Sequence, residues 1–120
     1  MQVGTNANVE LMSFGFKYGA PPTNFYFDVT FLPNPARISG KQLFDVLDEE
    51  MHHYVLQNDN TQQLIVKIVD LVSFLVKFDS IKVGIGCNSG RHRSVIIVNE
   101  ISKQLQRLGI DNQISHRDLK

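Results

Sequence analysis

The sequence has no tryptophan, only one cysteine and no excess of charge of either sign, because 12 Lys and Arg residues balance 12 Asp and Glu residues. A single cysteine, Cys87, excludes an intramolecular disulfide and a cysteine-rich metal site, which suits a reducing compartment. A net charge of zero excludes the basic field with which many domains bind long nucleic acids. The most apolar stretch, residues 64–78, contains Lys67, Asp70 and Lys77, so it predicts no membrane span.

The composition is that of an ordinary soluble domain, because 42% of the residues are hydrophobic and 20% are charged. No repeat or linker divides the 120 residues. We therefore predict a single domain over residues 1–120, with its core at about residues 9–118. Residues 1–8 are small and polar, unlike a signal peptide, so a cytoplasmic location is predicted.

The hydrophobic pattern predicts an α/β fold in the order β-β-α-α-β-α-β. The predicted strands are residues 9–14, 25–31, 81–87 and 111–116, and helical spacing is found in residues 40–57, 64–76 and 94–108. In strand 25–31 the alternation of apolar and polar residues predicts one buried face. The second helix follows a polar break at residues 58–60, where Thr61 is a candidate cap, and its wide apolar face predicts that it lies across the sheet.

The segment after Cys87 is compatible with two structures. Residues 94–98 are β-branched enough to form a strand, whereas Ile97, Ile101 and Leu105 continue at helical spacing towards a stop at Gly109. We choose the helix. The resulting architecture is a single small domain with a mostly parallel four-stranded sheet and a strand–loop–helix connection, the place where α/β proteins tend to bind ligands.

That connection, residues 87–94, reads Cys-Asn-Ser-Gly-Arg-His-Arg-Ser and has three features of a phosphate site. A helix start leaves N–H groups unpaired and carries partial positive charge. Gly90 lets the backbone turn its N–H groups inwards. Arg93 offers a planar guanidinium to two phosphate oxygens, with Arg91 and His92 beside it. The sequence therefore predicts an anion-binding loop.

The same loop is open to other interpretations. Its C-x-x-G-x-x-R-S spacing matches the phosphate loop of cysteine-dependent phosphatases, in which Cys87 would be the nucleophile and Arg93 would hold the phosphate oxygens. Gly86, however, stands where those enzymes have histidine, and no general acid is clearly placed. Cys87 is equally well explained as a small buried residue that closes a strand. A third interpretation is an RNA-binding adaptor that holds a backbone phosphate.

A second pair of candidate residues lies at the ends of two other strands. Asp28 is on the polar side of an apolar strand, and Arg117 follows the last strand. Strand ends can converge in one sheet, so both residues can share a cleft with the loop. The alternative is a structural Asp28–Arg117 ion pair.

Four segments carry a family resemblance: residues 13–19, 27–35, 86–95 and 116–119. Together they resemble the C-terminal domain of the RapZ/YvcJ family, over about residues 11–120. The resemblance implies a bacterial cytoplasmic regulatory domain that binds a phosphorylated amino sugar and, in some members, a small RNA. Family members also carry an N-terminal P-loop domain, whose G-x-x-x-x-G-K-[ST] motif is absent here.

Carried over by position, the resemblance implies a set of ligand-binding residues. These are Asp28, Asn88, Ser89, Gly90, His92, Arg93 and Ser94. The family usually reads C-T-G-G-[KQ]-H-R-S, so Asn88 and Ser89 depart from the pattern, as do Thr30 and Ala36 in the segment after Asp28. These departures retain a phosphate site and change the surroundings of the sugar.

The predicted function is therefore a non-catalytic domain that binds a phosphorylated small molecule, either an amino-sugar phosphate or a nucleotide. No metal or cofactor is predicted. RNA is expected to bind weakly at most, and the candidate protein partners are a second copy or a separate P-loop domain. The complete candidate ligand set is Asp28, Cys87, Asn88, Ser89, Gly90, Arg91, His92, Arg93, Ser94 and Arg117.

Overall fold

A computed structural model describes residues 8–119 of the chain. Residues 1–7, in which no signal peptide was predicted, and Lys120 lie outside the described residues. The described part contains four strands and three α-helices, in the predicted order. They are β1 (Val9–Gly15), β2 (Phe25–Asp28), α1 (Glu49–Leu56), α2 (Asp59–Leu75), β3 (Ile81–Cys87), α3 (Arg93–Arg107) and β4 (Asn112–His116).

The strands form one parallel sheet in the order β2-β3-β1-β4. Gly15 of β1 is in register with Cys87 of β3, and Asp28 of β2 is in register with Gly86. Ser13 of β1 is in register with His116 of β4. The C-terminal ends of all four strands therefore meet at one edge of the sheet, which confirms the predicted α/β class.

The hydrophobic core lies between the sheet and the helices. α3 packs against β1, β3 and β4, and α2 packs against α3. Thus α3, rather than the predicted second helix, makes the main contact with the sheet. The core is formed by every second residue of the central strands together with the inner faces of α2 and α3. Its members include Val9, Leu11, Val83, Ile85, Ile65, Ile68, Ile97 and Ile101.

On the opposite face of the sheet, the aromatic rings of Phe14, Phe16 and Tyr26 pack edge to face. Glycines in β3 make room for them. A Cβ atom on Gly86 would lie 2.6 Å from carbons of both Phe14 and Phe16. The two glycines that interrupt the apolar run of β3 are thus explained by packing.

The predicted helix at residues 40–57 is wrong in its first half, because α1 begins only at Glu49. Asp48 ends the preceding turns and caps α1, since its carboxylate accepts a hydrogen bond from the N–H of Met51 at 2.9 Å. Lys41 donates to the same carboxylate at 2.5 Å. This contact lowers the pKa of Asp48 and raises the pKa of Lys41. Helical spacing alone did not reveal this cap.

Three smaller expectations also fail. Strand β2 ends at Asp28 rather than at residue 31, because the Asp28 carboxylate accepts the N–H of Thr30 at 2.8 Å and turns the chain. Phe25 and Phe31 are exposed, so the predicted buried face is limited to Phe27 and Val29. The cap of α2 is Asn58, which accepts the N–H of Thr61. The choice of a helix after Cys87 is confirmed.

Candidate phosphate-binding loop and adjoining groove

The loop of residues 88–92 joins β3 to α3 at the C-terminal edge of the sheet. Gly90 has a φ of +73°, and a Cβ atom there would lie 2.7 Å from the backbone nitrogen of Gly15. The N–H of Lys17 donates to the carbonyl of Asn88 at 3.2 Å. The loop is therefore pressed against the end of β1, and its shape depends on glycine at position 90.

The start of α3 has the electrostatic character that the sequence predicted. His92 precedes the helix without a side-chain cap, and the first turn contains no acidic residue. Arg93 is the first helical residue, and Arg91 lies two residues before it in the loop. Unpaired N–H groups and positive charge at one place favour a bound anion.

The three basic side chains of this segment all bind backbone carbonyls of the chain between β2 and α1. Arg91 donates to the carbonyl of Phe44 at 3.2 Å, and the Nε2 atom of His92 donates to the carbonyl of Asp45 at 2.7 Å. Arg93 is almost completely buried and donates to the carbonyls of Thr30 at 2.5 Å and Leu32 at 3.3 Å. The basic segment thus holds residues 30–45 against α3.

Arg91 and Arg93 therefore differ in what they offer to a ligand. The Arg91 side chain is partly exposed at the rim of the loop. The Arg93 guanidinium, which the sequence motif suggested as the main phosphate contact, points to carbonyl groups in the interior of the protein.

Cys87 and Ser94 lie beneath the loop. The Cys87 thiol donates to the Ser94 hydroxyl at 3.2 Å, and both residues are buried. Cys87 belongs to the hydrophobic core, in agreement with its interpretation as a small buried residue at the end of a strand. Asn88 is exposed and Ser89 is partly exposed, so their side chains border the solvent side of the loop.

The structure does not bring Asp28 and Arg117 together. β2 and β4 are the two edges of the sheet, three strand spacings or roughly 14 Å apart. Arg117 pairs with Asp118 at 2.9 Å and donates to the carbonyl of Gly19, whereas Asp28 accepts the N–H of Thr30. The Asp28–Arg117 ion pair is therefore wrong, because strand order could not be read from the sequence, and the shared cleft with the loop stays a prediction. Asp28 lies beside the end of β3, which leads into the loop, since it is in register with Gly86.

Sequence reasoning missed a groove of about 590 Å³ that adjoins the loop. It lies between the start of α3, the turn before α1 and the residues at the end of β4. We call it the α3 groove; it is lined by Phe44, Asp45, Val46, Leu47, Arg91, Val95, Asn99, His116 and Leu119. Of the residues at the end of β4 that line the groove, His116 belongs to the motif of residues 116–119. That motif contributed to the family resemblance but not to the candidate site.

His116 forms a hydrogen-bonded chain at the floor of this groove. Its Nε2 atom donates to Asn99 Oδ1 at 3.1 Å, and its Nδ1 atom lies 2.7 Å from the Ser13 hydroxyl, which donates to the neutral ring. Burial lowers the pKa of His116 below its ordinary value of 6.5. The ring is therefore held neutral near pH 7.

This lowered pKa predicts how stability depends on pH. Below pH 6.5 the unfolded chain binds a proton on His116 that the folded chain resists, so stability is expected to be full above that pH and to fall as the pH decreases. Urea unfolding between pH 8 and pH 5 measures this slope. The slope should decrease in His116→Asn and persist in His53→Asn, which removes an exposed histidine. Equal slopes in the two variants would contradict the assignment.

Among residues 8–119, no helix is long and apolar enough to cross a membrane. The same residues contain no group of three or more His, Cys, Asp or Glu side chains that could hold a metal ion.

The fold and the loop define a class: a small parallel α/β domain with an uncapped, basic strand–loop–helix connection. The RapZ C-terminal domain family matches residues 7–120, and the chain belongs to this family, as the resemblance predicted.

Three bacterial proteins are similar to most of this chain. A protein of Listeria monocytogenes serotype 4a, named nucleotide-binding protein, is 42% identical over 120 residues, which cover 94% of this chain and 41% of that protein. Proteins of Clostridium beijerinckii and Clostridium acetobutylicum with the same descriptive name are each 39% identical, over 93% and 99% of this chain and 40% and 43% of theirs. The chain thus spans about two-fifths of the length of these relatives.

Proposed function

We propose that the domain is a non-catalytic regulatory module that binds a phosphorylated small molecule at the loop of residues 88–92. The observation that carries the proposal is the start of α3, which has no side-chain cap and no acidic residue in its first turn, and which has the partly exposed Arg91 beside it. Positive charge of this kind is unfavourable at a helix start unless an anion is bound. Membership of the RapZ C-terminal domain family supports a regulatory role.

The residues of the loop have different parts in this proposal. Backbone N–H groups of the loop and of the first turn of α3 hold the phosphate oxygens. Arg91 supplies the accessible guanidinium, and Asn88 and Ser89 supply polar groups at the solvent side. Arg93 and His92 have an indirect part. Their hydrogen bonds to the carbonyls of Thr30 and Asp45 hold residues 30–45 in position beside the loop. Asp28 lies at the rim, where its carboxylate suits a hydroxyl or ammonium group of the ligand.

The geometry disfavours the phosphatase alternative. Cys87 is buried in the core, and the Arg93 guanidinium is bound to the carbonyls of Thr30 and Leu32. A nucleophilic thiol and a phosphate-holding arginine would both have to face the loop. The RNA alternative gains no support either, because Arg93 is buried and Arg117 is paired with Asp118.

The location of the domain in the cell and its protein partner are also proposed. A cytoplasmic location and a partner, either a second copy or a P-loop domain, follow from the family resemblance. The relatives are named nucleotide-binding proteins, so we keep a nucleotide beside an amino-sugar phosphate as a ligand class.

Calorimetric titration tests the proposal with inorganic phosphate, glucosamine 6-phosphate and a nucleoside monophosphate. Arg91→Gln is expected to weaken binding about tenfold or more, because one charge-assisted hydrogen bond contributes about 1.5–3 kcal/mol. Lys103→Gln removes an exposed charge from the body of α3 and should bind like the wild type. Absence of binding to all three probes, or equal affinity of Arg91→Gln and the wild type, would overturn the proposal.

A further inference from the structure

The outer face of α2 is apolar towards the C-terminal end of the helix. Its inner face packs in the core through Ile65, Ile68 and Val72, and a surface helix of this kind normally has a polar outer side. Here, however, Phe74 is 53% exposed, and Phe78, in the turn that follows the helix, is 74% exposed. We call this surface the α2 patch; its apolar members are Leu71, Phe74, Phe78 and Leu108.

The apolar side chains of the α2 patch form one continuous surface. Leu71, Phe74 and Leu108 line the same groove, and the rings of Phe74 and Phe78 pack edge to face with their centroids 5.3 Å apart. At roughly 200 Å² of surface for a phenylalanine, the exposed parts of these two rings amount to about 250 Å². A contiguous exposed apolar surface of this size, bordered by polar groups, is typical of an interaction site.

Charged side chains of both signs border the same patch. Lys67, Asp70 and Lys77 line the groove together with Phe74, and the Nζ atom of Lys77 lies 5.9 Å from the centroid of the Phe74 ring. Within residues 8–119, none of these three charged groups forms an ion pair. The patch therefore presents one anion between two cations to a partner.

This order of charges discriminates between partners. An acidic surface would be repelled by Asp70 at the centre of the patch, and a basic surface would be repelled by both lysines. A second copy in the opposite orientation carries the same charges in reverse order. With a twofold axis between Ser73 and Phe74, Asp70 and Lys77 are equally far from the axis along the sequence, so Asp70 of each copy lies level with Lys77 of the other.

We infer that two copies of this chain associate through the α2 patch. The two α2 helices run antiparallel, Phe74 of each copy packs at the twofold axis, and an Asp70–Lys77 ion pair forms on each side of it. A second copy is one of the two partners in the proposed function, and phosphate binding at the loop is not required for this association. The apolar area is smaller than in a standard interface, so we expect a dissociation constant on the order of 10⁻⁵ to 10⁻⁴ M.

Sedimentation velocity of the 120-residue protein, at concentrations up to about 10⁻³ M, tests this interface. The sedimentation coefficient of the wild type should rise with concentration. Asp70→Lys places like charges opposite each other in the dimer, as does Lys77→Asp, so each variant alone should associate about tenfold more weakly or less. An equimolar mixture of the two variants should associate again, because each ion pair of the mixed dimer joins a lysine of one variant to an aspartate of the other.

Two matched controls accompany the charge reversals. Glu10→Lys makes the same change of charge at an exposed position of β1, outside the patch, and should associate like the wild type. Phe74→Ala removes the ring at the axis and should weaken association about tenfold or more. Phe31→Ala removes an exposed ring from the chain that follows β2 and should not weaken it. Thermal unfolding of each variant shows whether the domain remains folded.

Three results would each overturn this interface. They are a wild type that stays monomeric at the highest concentration, association that neither charge reversal weakens, and a mixture of the two reversed variants that does not associate. The proposed function is tested separately by phosphate titration of Asp70→Lys. Asp70 lines neither the loop nor the α3 groove, so this variant should bind phosphate like the wild type. Absence of phosphate binding in the wild type would contradict the proposed function and leave the dimer standing.

Discussion

Arg93→Ala is expected to lower the free energy of unfolding by about 2–4 kcal/mol. The Arg93 side chain is only 6% exposed, and its guanidinium donates to the carbonyls of Thr30 and Leu32. Removing it leaves both carbonyls without this donor and opens a cavity between α3 and the chain that follows β2. Urea unfolding followed by circular dichroism measures the change, since the protein has no tryptophan.

Arg91→Ala is the matched control for this prediction. Arg91 makes a single hydrogen bond, to the carbonyl of Phe44, and this bond is exposed, so its loss should cost under about 1 kcal/mol. Phosphate affinity should respond in the opposite order, with the larger direct effect in Arg91→Ala. If Arg93→Ala is as stable as the wild type and loses phosphate binding, then Arg93 is a direct ligand residue, as the sequence motif alone suggested.

Much of the fold was predictable from the sequence because its signals are local. The apolar run of β3, the helical spacing from Ile97 to Leu105 and the polar turn with Gly90 between them are each contained in a short window. The strand–loop–helix connection and its position at the edge of a parallel sheet followed from these signals. Family resemblance then added the family, which the match over residues 7–120 confirmed, whereas the role of the loop stays a prediction.

The errors arose where the structure depends on contacts between distant residues. Strand order places β2 and β4 at opposite edges, so Asp28 and Arg117 could not meet. A motif states the spacing of Arg93 but not the direction of its side chain, which is fixed by carbonyls more than 60 residues away in sequence. The α3 groove was missed for the same reason, since its walls come from three separate segments. One of those segments had been predicted as helix.

A substitution of Gly90 is expected to disturb the shape of the loop, because the backbone and the surroundings of this residue both require glycine. Its φ of +73° lies in the left-handed region, where a residue with a Cβ atom is strained by about 1–2 kcal/mol. The added Cβ atom would also lie 2.7 Å from the nitrogen of Gly15 and 2.8 Å from the carbonyl carbon of Phe14. Both are backbone atoms of a central strand, so they cannot move aside cheaply.

Gly90→Ala is therefore expected to lower the free energy of unfolding by about 3–5 kcal/mol and to abolish phosphate binding. Gly109→Ala is the matched control, because Gly109 has nearly the same φ, +75°, but nothing lies within 4 Å of its added Cβ atom. In that variant the free energy of unfolding should decrease only by the cost of the left-handed φ, about 1–2 kcal/mol, and phosphate should bind as in the wild type. Urea unfolding and phosphate titration of both variants provide the comparison. Equal losses of stability would mean that the contact between the loop and β1 contributes nothing, and normal phosphate binding by Gly90→Ala would remove the loop from the binding site.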